Sequence, residues 1–206
     1  GLDVRAVSDT GADVDTGERG ELICTTPFPS RPIGFWGDAD GSRFRASYFE
    51  RFPGAWAHGD FISRTAFGGF VIHGRSDATL NSGGIRIGTA EIYRVVDAMD
   101  EISESIVVGH RVEFDTEIVL FVVPAAGVVL DDELSARIRK VIRERTSPRH
   151  VPAQIVAVPA VPRTVTGKLA ELAVTDIVNG DVVRNTSGLA NPQSLEAFSR
   201  WAASSD

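Results

Sequence analysis

Gly74-Arg75-Ser76-Asp77-Ala78-Thr79-Leu80-Asn81-Ser82-Gly83-Gly84-Ile85-Arg86-Ile87-Gly88-Thr89-Ala90-Glu91-Ile92 is the stretch at which the pattern of this chain changes. It opens as a short linker with opposite charges at Arg75 and Asp77. Residues 77–81 and 85–87 then predict a small hairpin about Ser82-Gly83-Gly84. The paired glycines let a ligand chain pass close to the backbone, because no Cβ intrudes. A tight hairpin with no further role is the plainer alternative. Thr89 is placed to cap a helix running to about Met99, with Ile92, Val95, Val96 and Met99 at i, i+3, i+4 and i+7 on one face. We place a domain boundary here, giving units 1–75 and 76–206.

Upstream, the chain reads as β-rich with many turns. Residues 2–7 form a strand-and-turn pattern, and the turn at 16–20 feeds a strand over 21–26. Pro27, Pro29 and Pro32 break regular structure. Residues 42–52 predict a short helix with Phe44, Tyr48 and Phe52 on one side, ended by Pro53-Gly54. Residues 55–64 and 69–73 predict two strands joined across Phe67-Gly68-Gly69. Downstream, strands are expected over 105–109 and 117–123. The apolar run 118–123 suits a buried strand. Asp131 is positioned to cap a helix whose first turn carries Asp132 and Glu133, favourable at its positive end. Leu134, Ile138, Val141 and Ile142 make the buried stripe, and Ser147-Pro148 stops the helix. A short strand over 154–158, a loop over 159–168 and a helix over 169–178 follow. Asn191-Pro192 reads as a cap with proline at the first helical position, opening a last helix to about Trp201. The fold class is α+β: a β-rich piece, then a compact α+β unit.

The totals bound the function. The chain has 206 residues, 43% hydrophobic and 24% charged, enough for a packed core without staples. A net charge of −7 argues against nucleic acid as partner. No apolar run approaches the length that crosses a bilayer, so no membrane partner is expected. The single cysteine, Cys24, sits in an apolar stretch and reads as a small buried residue. With no signal peptide, it points to a reducing, cytoplasmic location. The only methionine is Met99, so a fragment of a longer protein is the expectation for a chain opening at Gly1.

Four segments carry chemistry. In His58-Gly59-Asp60-Phe61, a carboxylate between glycine and an aromatic can accept two hydrogen bonds from a ribose diol; alone, a turn aspartate is the stronger reading. The glycine hairpin is the second. In the third, Pro162-Arg163-Thr164-Val165-Thr166-Gly167-Lys168, a lysine at the tip of a Thr/Gly loop can neutralise charge in a transition state. An exposed lysine without a role is the alternative. A phosphate-binding loop is excluded, since that motif needs glycine where Pro162 stands. The fourth is the basic run Arg137, Arg139, Lys140, Arg143, Arg145 and Arg149. Arg139 and Arg143 share a helix face that could hold a phosphorylated ligand. For most of these residues a solvated face is the better reading.

Taken in order, GRxD…GGxRI…AEI and PRTxxGK resemble the adenylate-forming family of acyl-CoA synthetases, luciferases and peptide-synthetase adenylation domains. Residues 26–38, 48–54, Asn179-Gly180 and 190–195 resemble the branch of that family that takes acetoacetate. The resemblance covers essentially the whole chain. It implies that 1–75 are the β-rich end of an adenylation (AMP-binding) domain and 76–206 a mobile C-terminal α+β domain. The implied reaction attacks ATP with acetoacetate, giving acyl-adenylate and pyrophosphate, and then displaces AMP with the CoA thiol. ATP with Mg2+ would be held through an upstream adenylation domain, with CoA as co-substrate. The resemblance implies ribose binding by Asp60, a place near the nucleotide for Arg75, and a hinge at Asp77. It implies a pantetheine tunnel along Gly83 and Gly84, closure of the thioester-forming face by Arg86, a CoA phosphate contact for Arg139, and catalysis of adenylation by Lys168. A Ser/Thr/Gly-rich phosphate loop and an acyl pocket are expected upstream of Gly1, so the chain alone is expected to be inactive. Two alternatives stand beside this: a non-catalytic module binding CoA or a partner domain, and part of an acetyl- or propionyl-CoA synthetase.

Overall fold

The computed structural model describes all residues except 77–79, 83, 84, 114, 184, 185 and 206, and only the backbone of 81, 82, 85 and 86. The expected hinge Asp77 and hairpin glycines Gly83 and Gly84 therefore lie outside the described residues, as does the side chain of Arg86. The chain divides into two compact units, Gly1–Asp77 and Ala78–Asp206.

The first unit is a four-stranded antiparallel sheet in the order β1 (Val4–Val7), β2 (Arg19–Cys24), β3 (Trp56–Arg64), β4 (Phe70–Arg75). The expected β3–β4 hairpin closes where Thr65 N–H donates to Gly69 O (2.8 Å). Cys24 is buried and free, as expected. The helix α1 (Ser42–Tyr48) stops short of the predicted residue 52. Pro53 biases Phe52 away from helical backbone. Phe52 instead joins a small core with Val7, Ile23 and Ala55. Phe44 and Tyr48 keep their shared face: Tyr48 stacks on Trp56 at 3.8 Å, and Phe44 meets Trp56 edge-on at 6.2 Å.

In the second unit, β5 (Leu80–Ser82) and β6 (Ile85–Ile87) form the expected hairpin. The helix α2 (Thr89–Val96) begins differently from expectation: Gly88 is its N-cap and Thr89 is a buried first-turn residue without a capping bond. The α2 stripe Ile92, Val95 and Val96 is buried. A second sheet has the order β7 (Ile102–Val112), β8 (Asp115–Pro124), β9 (Gln154–Ala157), with β7 and β8 antiparallel and β9 parallel to β8. β7 outruns the predicted 105–109 because its ladder with β8 continues past the apolar residues at both ends.

β8 explains the continuous apolar run. Ile118, Leu120 and Val122 face one core with α2 and with α3 (Asp132–Arg145). Val119 and Phe121 face another with α4 (Glu171–Val178) and α5 (Leu195–Ser205). A strand covered on both faces reads as unbroken hydrophobic sequence rather than as alternation. Asp131 caps α3 as predicted, its Oδ1 accepting from Leu134 N–H (2.8 Å), a device worth about 1 kcal/mol. Leu134, Ile138 and Ile142 are buried, whereas Val141 lies at the margin of that core. Among the described residues no helix is long and apolar enough to cross a membrane.

Candidate functional site

The β3–β4 hairpin brings two of the expected residues together. Asp60 stands opposite Arg75 in the ladder, beside a bulge between Phe61 and Ile62. Gly59 has φ +80°, and a Cβ there would stand 2.8 Å from an Arg75 guanidinium nitrogen. Glycine therefore permits both the backbone turn and the approach of Arg75. Asp60 Oδ2 shares a hydrogen bond with His58 Nδ1, and Arg75 Nη1 approaches Oδ1 at 3.9 Å. The carboxylate is 14% exposed. His58 and Arg75 therefore hold a mostly buried acceptor in one direction. Arg75 also donates to His58 O (3.2 Å).

A carboxylate not singled out from sequence stands close by. Glu21 on β2 is 2% exposed. Its Oε2 accepts from Arg51 Nη1 (2.6 Å) and its Oε1 from the Ser76 hydroxyl (2.6 Å). Ser76 N–H also donates to Gly59 O (2.9 Å). Ser76, one residue before Asp77, is thus tied to both β2 and β3. A buried charge needs such partners; nothing local in Arg19-Gly20-Glu21 announces them.

In the second unit, Lys168 ends a loop held from several sides. Gly167 has φ +84°, which lets the chain turn immediately before the lysine. Gly167 N–H donates to Thr164 O (2.8 Å), and Thr164 N–H to Lys168 O (2.8 Å). Lys168 N–H donates to Thr164 Oγ1 (3.1 Å). The Arg163 guanidinium donates to Gly167 O (2.8 Å) and, through Nε and Nη2, to Glu104 Oε1 on β7 (2.9 and 2.6 Å). Lys168 is exposed, and among the described residues no acid pairs with its ammonium. A backbone held by these bonds therefore presents an exposed lysine with no acidic partner among the described residues.

Asn191 holds the expected N-cap position with Pro192 in the first turn, but its side chain makes no capping bond, and the opening turn Pro192–Ser194 is a 3-10 turn that leads directly into α5 at Leu195. Asn191 Oδ1 accepts from Arg163 N–H (2.8 Å), and its Nδ2 donates to Val161 O (2.9 Å). Asn179, also among the stretches quoted above, is a structural tie: it donates to Gly109 O (2.9 Å) and Thr175 O (2.7 Å) and accepts from Arg111 N–H (2.7 Å).

Arg139 lies on α3 with its guanidinium donating to Pro152 O and Ala153 O (both 3.3 Å), which ties the helix to the start of β9. The neighbouring bases divide as the solvated-face reading expects: Arg137 pairs with Glu101 (2.7 Å), and Lys140 lies 4.0 Å from Glu144. Glu91 of the Ala90-Glu91-Ile92 string bonds His150 Nε2 (2.7 Å), joining α2 to the turn after α3. A cleft of about 320 Å3 lies among His110, Arg111, Val178, Asn179, Gly180, Ala202 and Ala203; no expected site residue lines it. Among the described residues no group of three His, Cys, Asp or Glu could hold a metal ion.

Residues 91–168 match the family of AMP-binding enzyme C-terminal domains. Acetoacetyl-coenzyme A synthetase of Rhizobium meliloti (strain 1021) is 54% identical over 96% of this chain and 30% of its own length. The Caenorhabditis elegans acetoacetyl-CoA synthetase is 44% identical over 98% of this chain and 29% of its own. The solved acetoacetyl-CoA synthetase of Streptomyces lividans superposes with a TM-score of 0.90 and 41% identity, covering 100% of this chain and 31% of that one. The chain thus spans about 30% of the length of the relatives it matches. Residues 91–168 therefore match the AMP-binding enzyme C-terminal domain family, and the chain along its length is similar to the C-terminal part of acetoacetyl-CoA synthetases.

Proposed function

We propose that this chain serves as the C-terminal part of an ATP-dependent acid–CoA ligase that activates acetoacetate as its acyl-adenylate and passes the acyl group to CoA. The observation that carries the reading is the Lys168 loop, whose backbone is fixed while its ammonium has no acidic partner among the described residues. The relatives' shared activity supplies the reaction. Residues 1–75 are assigned to the β-rich end of the adenylation domain and 76–206 to the mobile C-terminal domain. The division of the chain at Asp77 and Ala78 supports that assignment.

In adenylate formation a carboxylate oxygen of acetoacetate attacks the α-phosphorus of ATP, and pyrophosphate leaves. Lys168 would sit between the two anionic reactants, offsetting their repulsion and the charge that builds on the phosphoryl oxygens. Asp60 would accept hydrogen bonds from the ribose hydroxyls, with Arg75 beside the nucleotide. In the second step the CoA sulfur attacks the acyl carbon and AMP leaves. Gly83 and Gly84 would line the pantetheine path, Arg86 would close that face, and Arg139 would reach the CoA phosphate. Rotation about Asp77 would exchange the two faces. Mg2+ accompanies ATP in this reading and is assigned to the adenylation domain of the longer enzyme. The chain by itself is expected to be inactive.

The test is Lys168→Ala in the full-length protein. Acetoacetate-dependent exchange of pyrophosphate into ATP should fall by about a hundredfold or more, as for loss of a main electrostatic stabiliser. Thioester formation from supplied acetoacetyl-adenylate should persist. Equal loss of both steps would refute the role of Lys168. Exchange supported by acetate or propionate in preference to acetoacetate would move the chain to the other acyl-CoA synthetases.

A further inference from the structure

The Lys168 loop is bound into more structure than its own residues provide. Residues 188–191 run beside it: Val165 N–H donates to Gly188 O (3.0 Å), and Ala190 N–H to Arg163 O (2.8 Å). Thr164 bridges Leu189 on that side, and Arg163 bridges Leu169 on the other. Residues 163–165 are therefore the middle strand of a small three-part ribbon. Asn191 clasps the start of that strand, bonding on both sides of Pro162, which has no N–H of its own. Leu189, Ser194, Leu195, Phe198 and Trp201 bury the same segment in the core. A second connection runs from Glu104 on β7 through the Arg163 guanidinium to Gly167 O, one peptide from Lys168.

We propose that Asn191 and the Glu104–Arg163 pair form a clamp that positions the Lys168 loop for adenylate formation. This inference rests on the reading of Lys168 given above. None of the three needs to touch substrate; they are positioning residues. Asn191 lies beyond the stretch 91–168 that matches the family model but within the same compact unit, so the clamp ties a later segment of that unit to the lysine loop. A thermally mobile Thr/Gly loop would spread the ammonium over several ångströms, and a misplacement of about 1 Å can lower a rate about a hundredfold.

The experiment uses the full-length protein with Asn191→Ala, Asn191→Asp, Glu104→Gln and Lys168→Ala. Asn191→Ala should lower kcat of pyrophosphate exchange about tenfold to a hundredfold while KM for ATP and the thioester step from supplied adenylate stay within about twofold. Amide hydrogen exchange at Thr164, Val165 and Gly167 should quicken in the same variant. Asn191→Asp keeps the acceptor for Arg163 N–H but loses the donor to Val161 O, and should recover only part of the exchange rate. Glu104→Gln, at a partly exposed pair, should show the same selective loss in smaller measure, and it serves if Asn191→Ala does not fold. Unchanged exchange kcat in both Asn191→Ala and Glu104→Gln, or parallel loss of both steps, overturns the clamp. If Lys168→Ala spares adenylation, the underlying reading fails; if Lys168→Ala is selective and the clamp variants are silent, only the clamp fails.

Discussion

Replacing Phe198 by alanine probes the core that anchors the chain beside the lysine loop. The ring is fully buried on α5, meets Phe121 edge-on at 4.8 Å, and lies in the same cluster as Trp201. Truncation returns about 100 Å2 of apolar burial, or about 2.5–3 kcal/mol at about 25–30 cal/mol per Å2. Val119 and Phe121 stand on β8, paired on both edges, so the walls cannot close fully. The remaining cavity adds about 1–2 kcal/mol. Loss of the edge-on ring contact adds about 0.5–1 kcal/mol. The three contributions sum to about 4–6 kcal/mol, at or above the top of the range of about 3–5 kcal/mol for such truncations. Urea denaturation read by circular dichroism and tryptophan fluorescence measures it. Phe198→Leu, which keeps most of the volume, should lose less than about 1.5 kcal/mol. A loss below about 2 kcal/mol for Phe198→Ala, with an unchanged denaturant slope, would refute the packing argument.

The other predictions concern polar groups. Glu21→Ala should cost about 2–3 kcal/mol, less than a fully buried broken pair because Arg51 is 41% exposed and also bonds Asp9; Glu21→Gln, which keeps an acceptor for Ser76, should cost about half as much by urea denaturation. Burial holds the Tyr93 phenol well above its usual value. The unfolded phenol, near pH 10, ionises first, so this contribution is fully present below about pH 10 and is lost as pH rises further. Tyr93→Phe should remove that alkaline loss and, by stranding Val107 N–H, cost about 1–2 kcal/mol at neutral pH. Urea midpoints at about pH 8 and pH 10.5 compare the two proteins, and an equal fall in both would contradict the assignment. Asp60→Ala should raise KM for ATP about tenfold to a hundredfold in the full-length enzyme, with thioester formation from supplied adenylate retained.

Much of the fold is written in signals that act over a few residues. The Asp131 cap, the α3 stripe apart from Val141, the pairing of 80–82 with 85–87 and the β3–β4 turn each depend on neighbours within one turn of chain, and each is found where the sequence places it. The run 118–123 announces a strand buried on both faces because its composition alone demands two apolar neighbours. The segments of the candidate site were legible in the same way. Asp60, Arg75 and Lys168 stand beside glycines with positive φ, Gly59 and Gly74 within β3 and β4 and Gly167 in the loop before the lysine.

What sets these residues in place is not local. Asn191 and Arg163 are 28 residues apart, Glu104 and Arg163 are 59, and Glu21 and Ser76 are 55. The sequence by itself therefore determined the order of elements, the family strings and the tip lysine. Only the tertiary structure decided that the Asn191 side chain clasps a loop while its backbone opens a helix, that Phe52 packs with Val7, Ile23 and Ala55, and that Arg139 donates to backbone carbonyls. A capping asparagine and a clasping asparagine have the same neighbours in sequence. Which hydrogen bonds each forms depends on the acceptors and donors that folding brings within about 3 Å, and those come from distant chain.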